Sequence, residues 1–184
     1  MEFTFPHIID SGQGEKIIFK ELVKEPDGDK VIVEGRCESI CGPVMHVHLK
    51  QDESITVTKG KMGCEVAGKQ PVYYTEGQTA TFQRNVPHRF WNAGDDELIV
   101  SGWVKPANSI VFFLTVLYSA LKNSNKEGQP EAFDSAYLMV RYNNEYDLPQ
   151  IPGFVKKVIL PLTYFTGKLL GKYKKFDGAP EPLK

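Results

Sequence analysis

The 184-residue chain predicts a mainly β fold, a small antiparallel barrel or sandwich, with two or three α-helices at its C-terminal end. Three observations carry this. As far as Val104, apolar residues alternate with polar ones, and Gly, Asn, Pro and Asp punctuate them as strands and turns require. Beyond Pro106 the apolar runs lengthen to helical size. Apolar and charged contents of 41% and 24% suit one soluble domain with an appendage. The expected division is a β unit over 1–105 and a helical extension over 106–184 packed on it. A formal net charge of −1 offers no basic footprint, so no nucleic-acid partner is expected.

The runs KIIFKELV (16–23) and KVIVEGRC (30–37) are rich in β-branched residues. Glu25-Pro26-Asp27-Gly28-Asp29 between them makes a tight reversal, so they read as an antiparallel pair. Cys37, Cys41 and Cys64 are odd in number and lack metal-site spacing, and read as small packing thiols. With the opening MEFTFPHIID, which has no charged-then-apolar leader pattern, they suggest a reduced, cytoplasmic protein.

The stretch GPVMHVHLKQDESITVTKG (42–60) places two of the four histidines one residue apart. On a strand, His46 and His48 would turn to the same face, about 7 Å apart along the chain. Glu53, Ile55 and Val57 also share a face, and a turn between His48 and Glu53 would bring the carboxylate back beside the imidazoles. MGCEVAG, GQTATFQRN, PHRFWN and ELIVSGWV continue the strand pattern, with His88, Phe90 and Asn92 on one side of their run. His88 is the natural fourth member, leaving His7 outside. Neutral imidazoles and a carboxylate are good ligands for a divalent transition metal: Fe, Mn, Ni, Zn, Co or Cu. The plainer reading is a metal-free polar core, which would bury several ionisable groups together at high cost. Gln51 and Asn92 are candidates to support the ligands by hydrogen bonds, beside ordinary roles in a turn and a strand.

Ile110–Leu121 is apolar nearly all round, too short to span a membrane and suited to a buried helix. A second helix is expected to open at Gln129-Pro130-Glu131 with Pro in the first turn, to put Phe133, Tyr137 and Val140 on one side, and to end near Asn143-Asn144. The third segment, GFVKKVILPLTYFTGKLLGKYKK, has Pro161 in its middle and should be kinked or broken. It holds Lys156, Lys157, Lys168, Lys172, Lys174 and Lys175 and no acid. Residues 154–175 are thus either a basic amphipathic surface for an anionic membrane or a packed helix with solvated lysines.

These residues resemble the two signature motifs of the cupin family. His46-x-His48-x4-Glu53-x6-Gly60 fits the first, and Gly77, His88 and Asn92 fit the second. The likeness extends over most of residues 15–104, and the helices resemble those of small bacterial cupins. Ile40 stands where the first motif has its leading Gly, with Gly42 nearby, and Gln83 and Asn85 replace the second motif's Pro and Gly. Asn is the residue after Gly that best tolerates a left-handed turn. The resemblance implies an antiparallel jelly-roll β-barrel holding one metal through His46, His48, Glu53 and His88.

Cupins include dioxygenases, isomerases, decarboxylases, sugar-modifying enzymes, binding domains and storage proteins, so the fold alone does not choose. The first expectation is a metal-dependent enzyme, most naturally an oxidoreductase of dioxygenase type acting on a small molecule, because four protein ligands in an octahedral site would leave two positions for dioxygen or substrate. The alternative is a non-catalytic binding or sensing module whose apolar pocket is covered by the helices. Those helices could instead extend the core or form a homodimer face. Since ligand histidines must be neutral, metal retention is expected to weaken below about pH 6, near the free imidazole pKa of ~6.5.

Overall fold

The computed structural model describes residues 2–126 and 128–183. The strands are β1 (His7–Asp10), β2 (Glu15–Val23), β3 (Lys30–Cys37), β4 (Val47–His48), β5 (Asp52–Lys59), β6 (Met62–Val66), β7 (Val72–Tyr74), β8 (Thr79–Phe82), β9 (His88–Asn92) and β10 (Leu98–Lys105). There follow α1 (Ile110–Lys122), α2 (Ala132–Arg141), the short β11 (Tyr146–Asp147), a π-helical turn (Val155–Ile159), α3 (Leu160–Leu169) and a 3-10 turn (Lys172–Phe176).

β1-β2-β3-β10-β5-β8 form one antiparallel sheet, β7-β6-β9 a second, and β11-β4 a two-stranded ribbon. The expected pairing of the first two long strands is present, with Phe19 opposite Val33 and Leu22 opposite Val31. The expected jelly-roll β-barrel is not. Among the described residues no sheet closes on itself: the large sheet ends at β1 and β8, and the small one at β7 and β9.

The reason lies on the inner face of the large sheet. Val31, Val33 and Cys37 are separated by even steps along β3 and so share that face. Cys37 joins Ile55, Val57, Ala80, Phe82, Leu98 and Val100 in an apolar cluster covered by Met62, Cys64 and Phe90 of the small sheet. Val31 and Val33 instead join Ile9, Phe19 and Val104 in a cluster covered by the helices. Two open sheets therefore face each other over half of the inner surface, and the helical extension occupies the half that barrel closure would need. The outer face is polar and cross-linked: Ser54 meets Thr81 at 3.2 Å and Thr56 meets Thr79 at 2.8 Å. One wet face and one packed face is the ordinary condition of an antiparallel sheet.

The apolar run of α1 belongs to the core. Ile110, Val111, Phe112, Phe113, Val116, Tyr118 and Ala120 are all buried, each large side chain contributing roughly 1.5–3 kcal/mol. α2 opens at Ala132 with Glu131 as its cap, so Pro130 stands just before the helix rather than inside its first turn. Pro161 does not break the third helix. It lacks an N–H for the carbonyl four residues back, and just upstream the helix widens so that the Leu160 N–H reaches the Val155 carbonyl. Cys37 and Cys64 are buried as packing thiols, and Cys41 is half-buried.

Candidate metal centre

Glu53 is placed by β5. It lies opposite Val104 of β10 and Phe82 of β8, on the inner face with Ile55 and Val57, where the two apolar clusters meet. His88 opens β9, which pairs with β6 so that Val66 opposes it. The expected strand under His46 and His48 is only partly formed, as β4 covers Val47–His48. His46 is instead fixed by a single antiparallel bridge to His88, each N–H donating to the other's carbonyl at 2.9 Å. On its other side β4 is held by β11, with Tyr146 opposite His48. The His48 carbonyl accepts from the Asn85 N–H at 2.7 Å.

This brings together four side chains from three separate parts of the chain. The imidazole nitrogens of His46, His48 and His88 and a carboxylate oxygen of Glu53 all lie within 4.8 Å of one another. Two opposite ligands on a metal at bond lengths of ~2.1 Å stand ~4.2 Å apart, so small rotations would close the set on one ion. His48 and His88 are buried, while His46 and Glu53 remain partly exposed, which leaves the cluster one side open to solvent.

The hydrogen bonds decide which nitrogen faces inward. His46 Nδ1 lies 2.8 Å from the Val44 carbonyl and His88 Nδ1 2.8 Å from the Val86 carbonyl. A carbonyl only accepts, so both Nδ1 atoms carry protons and both rings turn Nε2 to the centre. His88 Nε2 stands 3.0 Å from Glu53 Oε2, and His48 Nε2 3.5 Å from the same oxygen. Only a positive charge between them, a proton on Nε2 or a metal ion, makes the His88–Glu53 contact attractive. Metal-bound histidines are oriented by this kind of carbonyl contact. His48 Nδ1 is buried and has no hydrogen-bond partner among the described residues.

Burial lowers the pKa of His46 and takes that of His48 down to about 3, so neither ring is charged at neutral pH. Burial alone would raise Glu53, but the His88 hydrogen bond and the neighbouring imidazoles outweigh it and hold the carboxyl near 2. His46, His48 and Glu53 are therefore in the protonation state that a transition metal requires.

The two supporting candidates sit elsewhere. The fully buried Gln51 donates from Nε2 to Glu145 Oε2 at 2.8 Å and to the Tyr146 hydroxyl at 3.2 Å. Asn92 donates to the carbonyls of Cys37 and Asp96, at 3.0 and 2.8 Å, and accepts from Gly94. Neither bonds to a member of the cluster. The groups that do hold the rings are two backbone carbonyls and two aromatic rings. Phe82 stacks on His88 at 4.0 Å and Tyr146 packs edge-on against His48 at 5.6 Å. Val44-x-His46 and Val86-x-His88 repeat one spacing, a signal visible in the sequence only once the contact is known. His7 remains outside, bonded to Thr115 at 2.9 Å.

The substituted turns keep their backbone. Ile40 and Asn85 both adopt left-handed conformations, with φ of 66° and 67°. Asn tolerates this, whereas a β-branched Ile is strained there. Gly42 is required for a different reason: a Cβ there would lie 2.3 Å from the Phe90 carbonyl of β9. A surface cleft of about 520 Å³, lined by Ser11, Gln13 and Lys122 among others, shares no residue with the cluster, so it is the convergent ligand atoms that single out this site.

Residues 31–104 match the cupin domain family. Over 134 residues the chain is 26% identical to the oxidoreductase iacF of Pestalotiopsis fici, covering 65% of this chain and 66% of that protein. It is 27% identical over 95 residues to the probable oxidoreductase virH of Hypocrea virens, covering 47% of this chain and 43% of that one. The chain thus spans two thirds or less of the length of these relatives. Among solved structures, KdgF from Halomonas sp. aligns with 57% of this chain and 90% of its own at 15% identity and a TM-score of 0.47.

Proposed function

Starting from residues 31–104 as a cupin domain followed by C-terminal helices, we propose that this chain is a metal-dependent enzyme of oxidoreductase type, acting on a small molecule with dioxygen as co-substrate. The observation that carries the reading is the convergence of three imidazole nitrogens and one ionised carboxylate within 4.8 Å of one another, with His46 and Glu53 partly exposed. The distant likeness to two proteins named as oxidoreductases supports the reaction class. His46, His48, Glu53 and His88 would hold one divalent transition metal. A metal with four protein ligands and positions to spare supplies Lewis acidity and, where the ion is redox-active, electron transfer to substrates bound beside each other.

The remaining work falls to the chain. The carbonyls of Val44 and Val86 keep the Nδ1 protons of His46 and His88 turned away from the centre. Phe82 and Tyr146 wall the cluster on its buried sides and exclude water from the ring faces of His88 and His48. The partly exposed edges of His46 and Glu53 mark the side from which a small molecule approaches.

The test is aerobic turnover. Protein loaded separately with iron, manganese or nickel is expected to consume oxygen with at least one of a set of enediols, catechols, flavonols and thiols. A silent oxygen electrode for every metal and every substrate class removes the dioxygenase reading.

A further inference from the structure

The third helix leaves an apolar stripe uncovered. Phe154, Leu162, Phe165, Leu169 and Leu170 are each at least 59% exposed. Val158, Leu162, Phe165 and Leu169 follow one another by four, three and four residues, the spacing of one helical face. The opposite face is the one that packs. There Gly167 is buried, and a Cβ on it would lie 2.4 Å from the Tyr173 hydroxyl and 3.0 Å from Phe133 of α2. The helix is therefore docked on the molecule by its small face and turns its large apolar residues to solvent. A contiguous stripe of this kind marks a contact surface.

Its flanks carry charge of one sign. Between Leu148 and Phe176 there are six lysines and no acid. Lys156 is paired with Asp147 and Lys175 with Asp134. Lys157, Lys168, Lys172 and Lys174 are exposed, and among the described residues none has an ion-pair partner. A second copy is a poor match for this face, because a two-fold contact through the stripe would set these lysines against their own counterparts with no acid to meet them. Among the described residues no helix is long and apolar enough to cross a membrane. A large apolar side with basic flanks matches a helix lying in the headgroup layer.

We propose that the segment 154–175 is a peripheral membrane-binding surface, with the Val158–Leu162–Phe165–Leu169 stripe entering the headgroup boundary and the unpaired lysines meeting anionic lipid phosphates and carboxylates. The observation is independent of the metal site.

Vesicle flotation tests it, using phosphatidylcholine alone and phosphatidylcholine mixed with phosphatidylserine, with sedimentation equilibrium of the lipid-free protein alongside. The full chain is expected to float with the anionic vesicles, to release on raising the salt, and to float poorly with the neutral ones. Leu162→Glu/Phe165→Glu and Lys157→Glu/Lys168→Glu are each expected to weaken binding by about tenfold or more. All four positions are exposed, so the thermal midpoint should stay that of the parent protein. Absence of flotation with either vesicle, or equal flotation with both, overturns the proposal. So does a lipid-free dimer that Leu162→Glu/Phe165→Glu dissociates, which would assign the stripe to a second copy.

Discussion

His46 and His88 each have a carbonyl two residues upstream to hold the ring, whereas His48 is oriented by packing against Tyr146 and by the centre itself. Glu53 is the only carboxylate in the cluster and faces two of the three rings within 3.5 Å. Loss of a group outside the ligand set typically costs about 10–100-fold in metal affinity, so loss of a ligand should cost at least about 100-fold. Protein purified without an affinity metal is therefore expected to contain close to one equivalent of a transition metal by elemental analysis. His48→Ala and Glu53→Ala should each lose it. Stoichiometric metal in either variant would remove that residue from the proposed ligand set.

At the level of elements, the two-residue β4 is too short to hold itself in place. It is clamped between β9, through the His46–His88 bridge, and β11, whose pairing is anchored by Glu145. The Glu145 carbonyl accepts from the Leu49 N–H at 2.7 Å. Its carboxylate is fully buried and accepts from Gln51 and Ser109, both at 2.8 Å, from Asn108 at 3.1 Å, and from the Leu183 N–H at 2.9 Å. This one side chain ties the loop after His48, the start of α1 and the C-terminal segment together. Each buried donor left without an acceptor costs roughly 1–3 kcal/mol. Glu145→Ala should therefore lower unfolding free energy by about 3 kcal/mol or more in urea titration, and weaken metal binding with it because β4 loses its brace. A change within about 0.5 kcal/mol, the range of an ordinary surface substitution, would show the network to be dispensable.

For the whole molecule, the buried titratable groups pull in opposite directions with pH. His48 titrates at about 3 when folded and at 6.5 when free in the unfolded chain, so the unfolded chain binds the extra proton between those values and stability falls as pH drops through them. His46 is lowered as well and acts in the same sense. Glu53, held at about 2 against 4.5, adds a further loss below pH 4.5. Glu15 does the reverse. Burial raises its carboxyl to about 7 despite a hydrogen bond with Tyr118, so the folded state holds the extra proton between 4.5 and 7, and stability there rises on acidification. Metal-free protein is thus expected to lose thermal stability gradually between about pH 6.5 and 4.5, where two histidines outweigh one carboxyl, and steeply below. Glu15→Gln removes the partial compensation, so its midpoint should decline more steeply than the parent's below pH 6.5. Parallel pH profiles for the two proteins would contradict this. The same low His48 pKa predicts that a bound metal would be released below the pH of about 6 that free imidazole suggests.

The alternation of Glu53, Ile55 and Val57, the x-spacing of His46 and His48 and the inward set of His88, Phe90 and Asn92 were legible because strand periodicity is local: a side chain's face follows from its neighbours two residues away. The length and apolar character of α1 and the basic one-sidedness of 154–175 were legible for the same reason. The open sheets were not, because closure depends on which body covers the inner face, and the helices from Ile110 onward take that place over β1–β3. Nor were the carbonyls of Val44 and Val86, the ring of Tyr146 or the bracing carboxylate of Glu145, each brought to the histidines by contacts across the fold. The sequence by itself determined the period of each segment and the residue types able to bind a metal. Only the tertiary structure decided which nitrogen of each ring faces the centre and which side stays open, since those depend on groups up to 98 positions away in the chain.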